Sequence, residues 1–500
     1  MTIKLFAPHL TDFYKTGHIF QYSEGTTFVY SNFTPRSAKL ANVLPDFDDK
    51  VVFYGLQGTI KWMLIDLWNE SFFDKPKEWA VAKYKRRMDC ALGVGAVTVD
   101  HIAALHDLGY LPIRIKALKE GSRVNMRVPL WTISNTKDEF YWVTNYLESQ
   151  LSAESWKPIH TATIAYEYRR LLNRYATMTG SPLMFAAWQG HGFEFRGMSG
   201  VYDGTINGSA HLLSFFGTDT VSSLDYAEDY YGADAEREIL GGSVPATEHS
   251  VMQMGGKVDE IETIRRLIVD KYPTGVVSIV SDTWDYWKVI TEYFKILQPE
   301  IMARQPDALG NAKVLPRPDS GDPVKIIAGD PEAEPGSPQY KGTVECLWEI
   351  FGGTITETGH KLLDSHVGVI YGDSITLQRA YAILEALHQK GFASANIVFG
   401  IGSFAYQMCT RDSFGDAIKT TFGVVNGEDR MLFKDPITDQ GSIKKSAMGL
   451  LRVEFDGTDF ILHEMQSREQ EHEGLLEEVF CDGVLYRDEH YADIRARLLG

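Results

Sequence analysis

Val314-Leu315-Pro316-Arg317-Pro318-Asp319-Ser320-Gly321-Asp322-Pro323 joins a short apolar run to a cation, a carboxylate and a Gly/Pro-rich turn. Arg suits bidentate recognition of oxygen anions. The adjoining carboxylate can hold sugar hydroxyls or a metal-linked oxygen. Similar endings recur: residues 276–280 run into Ser281-Asp282, 367–371 into Gly372-Asp373, and 397–399 into Gly400-Ile401-Gly402-Ser403. Gly372 lets a backbone come close to a ligand. The N–H groups of a Gly-rich turn that enters a helix can cradle a phosphate. His249 is a competent nucleophile near neutral pH. Delivered to one rim, these residue types suit a ligand carrying both hydroxyls and phosphates. Each also has a plainer reading: Arg317 and Asp319 as a surface ion pair in a turn, Asp219 as an N-cap, His249 as a structural residue.

The elements that must position them are strands. A short apolar run bounded by turn signals reads as a buried parallel strand, and sites collect at the carboxyl ends of such strands. From about 181 to 422 these runs alternate with helical patterns. Residues 376–390 put Leu377, Ala380, Tyr381, Leu384 and Leu387 on one helix face, with Ser374 or Asp373 as N-cap and Gly391 at the C-terminal end. Residues 284–297 and 344–351 read as further crossover helices. The expected fold class is α/β, an irregular β/α barrel over 155–420. The flanks, 1–154 and 421–500, mix strands (27–33, 111–117, 128–133) with helices such as 59–68, and carry a hairpin signal at Asp456-Gly457. They are expected to form one discontinuous α+β second domain. Residues 329–340 read as an exposed loop.

The 500 residues carry 49 Lys and Arg against 67 Asp and Glu, a formal net charge of -18. That argues against bulk binding to nucleic acid or an anionic membrane and leaves room for a local basic pocket. Cys90, Cys346, Cys409 and Cys481 are scattered, which supports neither a disulfide framework nor a zinc site. Residues 1–9 lack a sustained apolar run, and no uncharged stretch is long enough to span a bilayer. A cytoplasmic protein without nucleic-acid or membrane partners is expected.

Further blocks lie along the chain in order. They are Thr11-Asp12-Phe13-Tyr14-Lys15, Phe193-Glu194-Phe195-Arg196-Gly197, Gly217-Thr218-Asp219-Thr220-Val221, and Ser243-Val244-Pro245-Ala246-Thr247-Glu248-His249-Ser250. Val280-Ser281-Asp282-Thr283-Trp284-Asp285, the Arg317 and Gly372 turns, Thr410-Arg411-Asp412 and Phe433-Lys434-Asp435-Pro436 follow. Over nearly its whole length the chain resembles the nicotinamide phosphoribosyltransferase family. The resemblance implies a type II phosphoribosyltransferase-like barrel that joins nicotinamide to 5-phosphoribosyl-1-pyrophosphate, giving nicotinamide mononucleotide and pyrophosphate.

It also implies roles. Tyr14 and Phe193 sandwich the pyridine ring, with Tyr14 supplied by the second subunit of a homodimer that shares its active sites. Asp219 accepts from the carboxamide, and Ser243 and Ser278 add polar contacts. Arg317, Asp319 and Asp373 hold ribose or pyrophosphate oxygens, with Gly372 admitting the backbone. Gly402 and Ser403 cradle the 5′-phosphate. Arg36, Arg196, Arg411, Lys419 and Lys434 are cations for phosphate and pyrophosphate. His249, oriented by Asp282, is phosphorylated by ATP, a co-substrate and activator. Magnesium enters with the pyrophosphate substrate, and no protein-held metal is expected. Two positions depart from the family: Gly192 stands where an Asp is common, removing a local carboxylate, and Ser403 replaces a glycine. A nicotinate phosphoribosyltransferase, a non-catalytic binding protein of the same fold, and a glycosidase using Asp319 and Asp373 are the competing readings.

Overall fold

The computed structural model describes residues 4–434 and 446–500. Met1, Thr2 and Ile3, and Asp435 and Pro436 of the last block, lie outside the described residues. The short apolar runs of the middle of the chain form parallel strands. Val369–Tyr371 pairs with Ile397–Ile401, which pairs with Gly190–Gly192, which pairs with Gly217–Thr218. Val277–Val280 pairs in parallel with Val314–Arg317. Parallel bridges link these groups: Gly217 to Gly242, Ala246 to Ser278, and Val314 to Val367. Every residue of Val277–Val280 and of Val369–Tyr371 is buried, as strands covered on both faces must be.

The helix Leu377–Gln389 links two of these strands and buries Leu377, Ala380, Ile383, Leu384 and Leu387. Its N-cap corrects the expectation: the Thr376 hydroxyl, not Ser374 or Asp373, accepts the Arg379 N–H at 3.2 Å. Ser374 takes a left-handed φ of 49°, so the chain is still turning at that point and the helix starts later. Thr343–Phe351 is helical, as is most of 286–296. The segment 329–340 ends in the helical turn Pro338–Lys341, capped by Ser337.

A seven-stranded antiparallel sheet draws on both ends of the chain. Its order is Glu428–Met431, Ala417–Val425, Thr26–Thr34, Trp131–Asn135, Ile113–Ala117, Glu477–Cys481 and Val484–Leu485. Phe455 pairs with Phe460 across the expected hairpin. The divisions expected at 154/155 and 420/421 fall inside the helix Glu148–Thr179 and the strand Ala417–Val425. Both elements are continuous there because each is buried on both sides of the expected boundary. One apolar cluster runs from Phe33, Ile115 and Trp131 to Ile279, Val314 and Phe399. It ties the antiparallel sheet to the parallel strands. Among the described residues, no helix is long and apolar enough to cross a membrane.

Candidate active site

The carboxyl ends of the parallel strands converge on one set of side chains, as open or closed α/β sheets arrange them. Asp282, just past Val277–Val280, is the hub. Its side chain is 4% exposed. Oδ1 lies 3.1 Å from His249 Nε2, while Oδ2 accepts the Asp319 N–H at 3.0 Å and the Ser320 hydroxyl at 2.6 Å. One buried carboxylate therefore orients the imidazole and fixes the Arg317–Asp319 turn. His249, at the start of the helix His249–Gly255, keeps 45% of its side chain exposed. It is held at one nitrogen and open to a reaction partner.

Arg317 Nε lies 3.2 Å from Asp319 Oδ2, and Nη2 donates to the Thr247 carbonyl at 3.0 Å. Burial raises the Asp319 carboxyl above the usual carboxylate range, against the pull of Arg317. Asp282 adds to the rise. The adjoining turn is open for steric reasons: a Cβ at Gly372 would sit 3.3 Å from Asp319 Oδ1. Asp373 is exposed beside it. Buried Tyr371 donates to the Gly321 carbonyl at 3.0 Å. Burial, then Asp373, Asp319, Asp282 and Asp322, raise its hydroxyl pKa, so all four carboxylates lie within electrostatic reach of Tyr371.

The half-buried Phe193 donates its N–H to the Ile401 carbonyl at 2.9 Å. Its ring lies so close to Gly400 that a Cβ there would meet it at 2.6 Å. A Cβ at Gly402 would lie 3.1 Å from the Phe193 carbonyl oxygen, and one at Gly197 would collide with Ser403. The Gly402-Ser403 turn and the Phe193-to-Gly197 segment, with exposed Arg196, are thus packed against each other. The turn leads into the four-residue helix Ser403–Tyr406.

Asp219 accepts from His191 Nε2 at 2.9 Å and from the Ser243 hydroxyl at 2.5 Å. Burial works to raise this carboxyl, but the His191 contact, the Ser243 bond and Arg317 outweigh it and hold Asp219 below its ordinary value. The His191 ring lies 4.8 Å from the Phe193 ring. Ser278 is buried with its hydroxyl unpartnered. Its backbone receives Thr247 and bonds to Pro245.

The other candidate residues make a second set. Arg36 Nε donates to the Gly415 carbonyl at 2.6 Å. Burial lowers the Lys419 ammonium, and Arg36, Lys434 and Arg411 lower it further, against Glu148. Three cations therefore stand within electrostatic reach of Lys419. Arg36 and Lys419 line a groove of about 450 Å³. Tyr14 is 61% exposed, with its ring 5.3 Å from His18 and Arg411 in electrostatic reach. Among the described residues, no ring contact joins Tyr14 to Phe193 within the chain.

Three contributors were not legible as site residues in the sequence. His191 could have been found from strand alternation, since 191 and 193 share a face. Thr247 holds Arg317 through its carbonyl, which no side-chain pattern reveals. The buried Asp416, 2.6 Å from His160 Nε2, bonds through its N–H to the Arg411 carbonyl at 3.0 Å, and its carboxyl lies within electrostatic reach of Arg36 and Arg411. It anchors the loop that presents Arg411. Among the described residues, no group of three or more His, Cys, Asp or Glu is arranged to hold a metal ion. A magnesium ion arriving on a diphosphate needs only one or two protein carboxylates, and Asp319 and Asp373 can supply them.

Residues 188–484 match the nicotinate phosphoribosyltransferase (NAPRTase) family. A nicotinamide phosphoribosyltransferase of Acinetobacter baylyi is 59% identical over 498 residues, covering 100% of this chain and 98% of the relative. One of Xanthomonas campestris is 30% identical over 495 residues, covering 97% and 96%. In fold, the chain is similar to the nicotinate-nucleotide pyrophosphorylase of Pyrococcus furiosus, with a TM-score of 0.56 at 14% identity over 99% of this chain and 94% of that one.

Proposed function

The chain belongs to the nicotinate phosphoribosyltransferase family, and on that premise we propose that it transfers the phosphoribosyl group of 5-phosphoribosyl-1-pyrophosphate to nicotinamide. The pyridine nitrogen forms a bond to C1 of the ribose. The C1–O bond breaks with its electron pair leaving on pyrophosphate. Positive charge builds on the ribose and negative charge on the leaving group, so the protein's work is alignment and charge balance.

Phe193 stacks on the pyridine. Asp219 accepts from the carboxamide N–H₂, and that carboxylate, joined to the Phe193 ring through the His191 imidazole that touches both, is the observation that carries the nicotinamide reading. Nicotinate would bring a like charge to it. Asp319 and Asp373 hold ribose hydroxyls and the magnesium that the pyrophosphate carries. Arg317 and Arg196 neutralise developing charge, and Gly402 and Ser403 take the 5′-phosphate. Tyr14, Arg36, Arg411, Lys419 and Lys434 face the site of a second copy in a homodimer. Their grouping apart from Phe193 supports that arrangement. The linked parallel pairings support an irregular barrel, and the shared antiparallel sheet supports a second, discontinuous domain. The unpaired thiols of all four cysteines suit a cytoplasmic setting.

ATP enters through His249. With Nε2–H donated to Asp282, Nδ1 carries the free lone pair. It attacks the γ-phosphorus, the N–P bond forms, and ADP leaves with the electrons of the broken P–O bond. Water later takes the phosphoryl group.

The test supplies purified protein with 5-phosphoribosyl-1-pyrophosphate, Mg²⁺ and either pyridine, with and without ATP. Mononucleotide from nicotinamide and little from nicotinate is expected, with Asp219→Asn narrowing the preference by ~10-fold or more. Product from nicotinate alone would overturn the role given to Asp219.

A further inference from the structure

Glu194 directly follows the stacking Phe193, and it is fully buried at 0% exposure. Neither of its carboxyl oxygens completes a hydrogen bond among the described residues. A buried carboxyl in that condition is costly, so its position calls for a reason. The slot it occupies is walled by two glycines. A Cβ at Gly192 would lie 2.6 Å from Glu194 Oε2 and 3.1 Å from the His211 ring. A Cβ at Gly208, in the helix Val201–His211, would lie 2.6 Å from Glu194 Oε1 and would also collide with Ser223. Gly192 does not need its glycine for backbone reasons, because its φ is not positive. The space beside it is simply taken. The hydroxyl of buried Thr220, one residue after Asp219, faces the Glu194 carboxyl and, with the Glu194 backbone N–H, works against the rise in its pKa without completing a hydrogen bond of good geometry.

The Glu194 side chain therefore touches three things: the Phe193 segment, the helix Val201–His211, and the turn that follows Asp219. Two of these carry the ring and the carboxylate assigned to nicotinamide. We propose that Glu194 is a positioning residue of the pyridine subsite, its carboxyl filling the slot that a side chain at position 192 would otherwise fill and so setting the separation between the Phe193 ring and Asp219. A side chain at position 192 and the Glu194 carboxyl would thus compete for the same space. Burial pushes the Glu194 carboxyl up to about 7, with Asp219 adding to the rise. The neutral form is accessible near neutral pH, and a neutral group in the slot is tolerable.

The proposal rests on the nicotinamide reading, and the experiment separates the two. Five proteins are compared: wild type, Glu194→Gly, Gly192→Asp, the double variant carrying both changes, and Glu194→Gln. KM for nicotinamide, KM for 5-phosphoribosyl-1-pyrophosphate, kcat and melting temperature are measured for each. Emptying or overfilling the slot is expected to raise KM for nicotinamide by ~10-fold in each of Glu194→Gly and Gly192→Asp, with KM for the phosphoribosyl donor within ~2-fold of wild type. The double variant, with one carboxyl back in the slot, is expected to return to within ~3-fold of wild type, as is the shape-preserving Glu194→Gln. Glu194→Gln is the variant that guards against misfolding. A double variant no better than the worse single change would overturn the proposal. So would unchanged single variants, a Glu194→Gln as impaired as Glu194→Gly, or coupling seen in melting temperature but not in KM for nicotinamide. A wild type that makes no mononucleotide from nicotinamide would instead overturn the underlying reading, and the subsite with it.

Discussion

Asp219 and Asp319 stand on the same rim with their acidities shifted in opposite directions. Asp219 is held low because His191 and Ser243 satisfy its ionised form, and Asp319 is raised because burial disfavours its charge. The sign of the pH response follows. A depressed carboxyl stays ionised as pH falls below the ordinary carboxylate value, so its contribution is lost only through its lowered pKa. A raised carboxyl is protonated first on the way down. On the roles proposed for them, acidification should therefore raise KM for 5-phosphoribosyl-1-pyrophosphate, through Asp319, before it raises KM for nicotinamide, through Asp219. Initial-rate profiles taken downward from neutral pH test this. The reverse order would contradict the assigned roles. The same logic explains why His249 needs Asp282: a half-exposed imidazole has no fixed tautomer until one nitrogen is engaged.

At the scale of elements, the site depends on close approach. Strand Ile397–Ile401 runs past Phe193 and the Gly372 turn with no side chain between them at Gly400. A Cβ there would meet the Gly372 Cα and the Phe193 ring, each at 2.6 Å. The first of these contacts is to backbone, which cannot rotate away. Gly400→Ala should cost ~1–3 kcal/mol by overpacking and raise KM for nicotinamide by displacing the ring. Denaturant unfolding with steady-state kinetics reads both, and a variant with wild-type stability and KM would show that the strand has slack. The Thr376 cap, three residues after Asp373, stabilises Leu377–Gln389 by ~1 kcal/mol.

At the scale of the molecule, the candidate residues split between two sets of contacts, and the shared site proposed for a homodimer would reunite them. Tyr14→Ala and Phe193→Ala should each be nearly inactive alone. Mixed and allowed to exchange subunits, half of the dimers become mixed, each with one intact site, so about a quarter of wild-type activity should return. Recovery near zero after verified exchange would place Tyr14 and Phe193 in the same site of one chain and remove the argument for sharing.

The sequence by itself determined which residues could do chemistry and where the buried strands end. Val277–Val280, Val314–Arg317, Val369–Tyr371 and Ile397–Ile401 are readable because a strand covered on both faces must be apolar throughout. Their polar endings mark the rim for the same reason. The hairpin at Asp456-Gly457 was readable from local turn chemistry. Only the tertiary structure decided the rest. That Asp282 serves His249 and the Asp319 turn at once depends on pairing between Val277–Val280 and Val314–Arg317, a long-range register. The helix Glu148–Thr179 and the strand Ala417–Val425 run across the domain limits expected from the sequence, because they are locally uniform and what they pack against changes along their length. Glu194 was invisible as a functional residue because its significance lies in a slot formed by two absent side chains, at Gly192 and Gly208. A glycine's letter carries no trace of which neighbour has taken the space beside it.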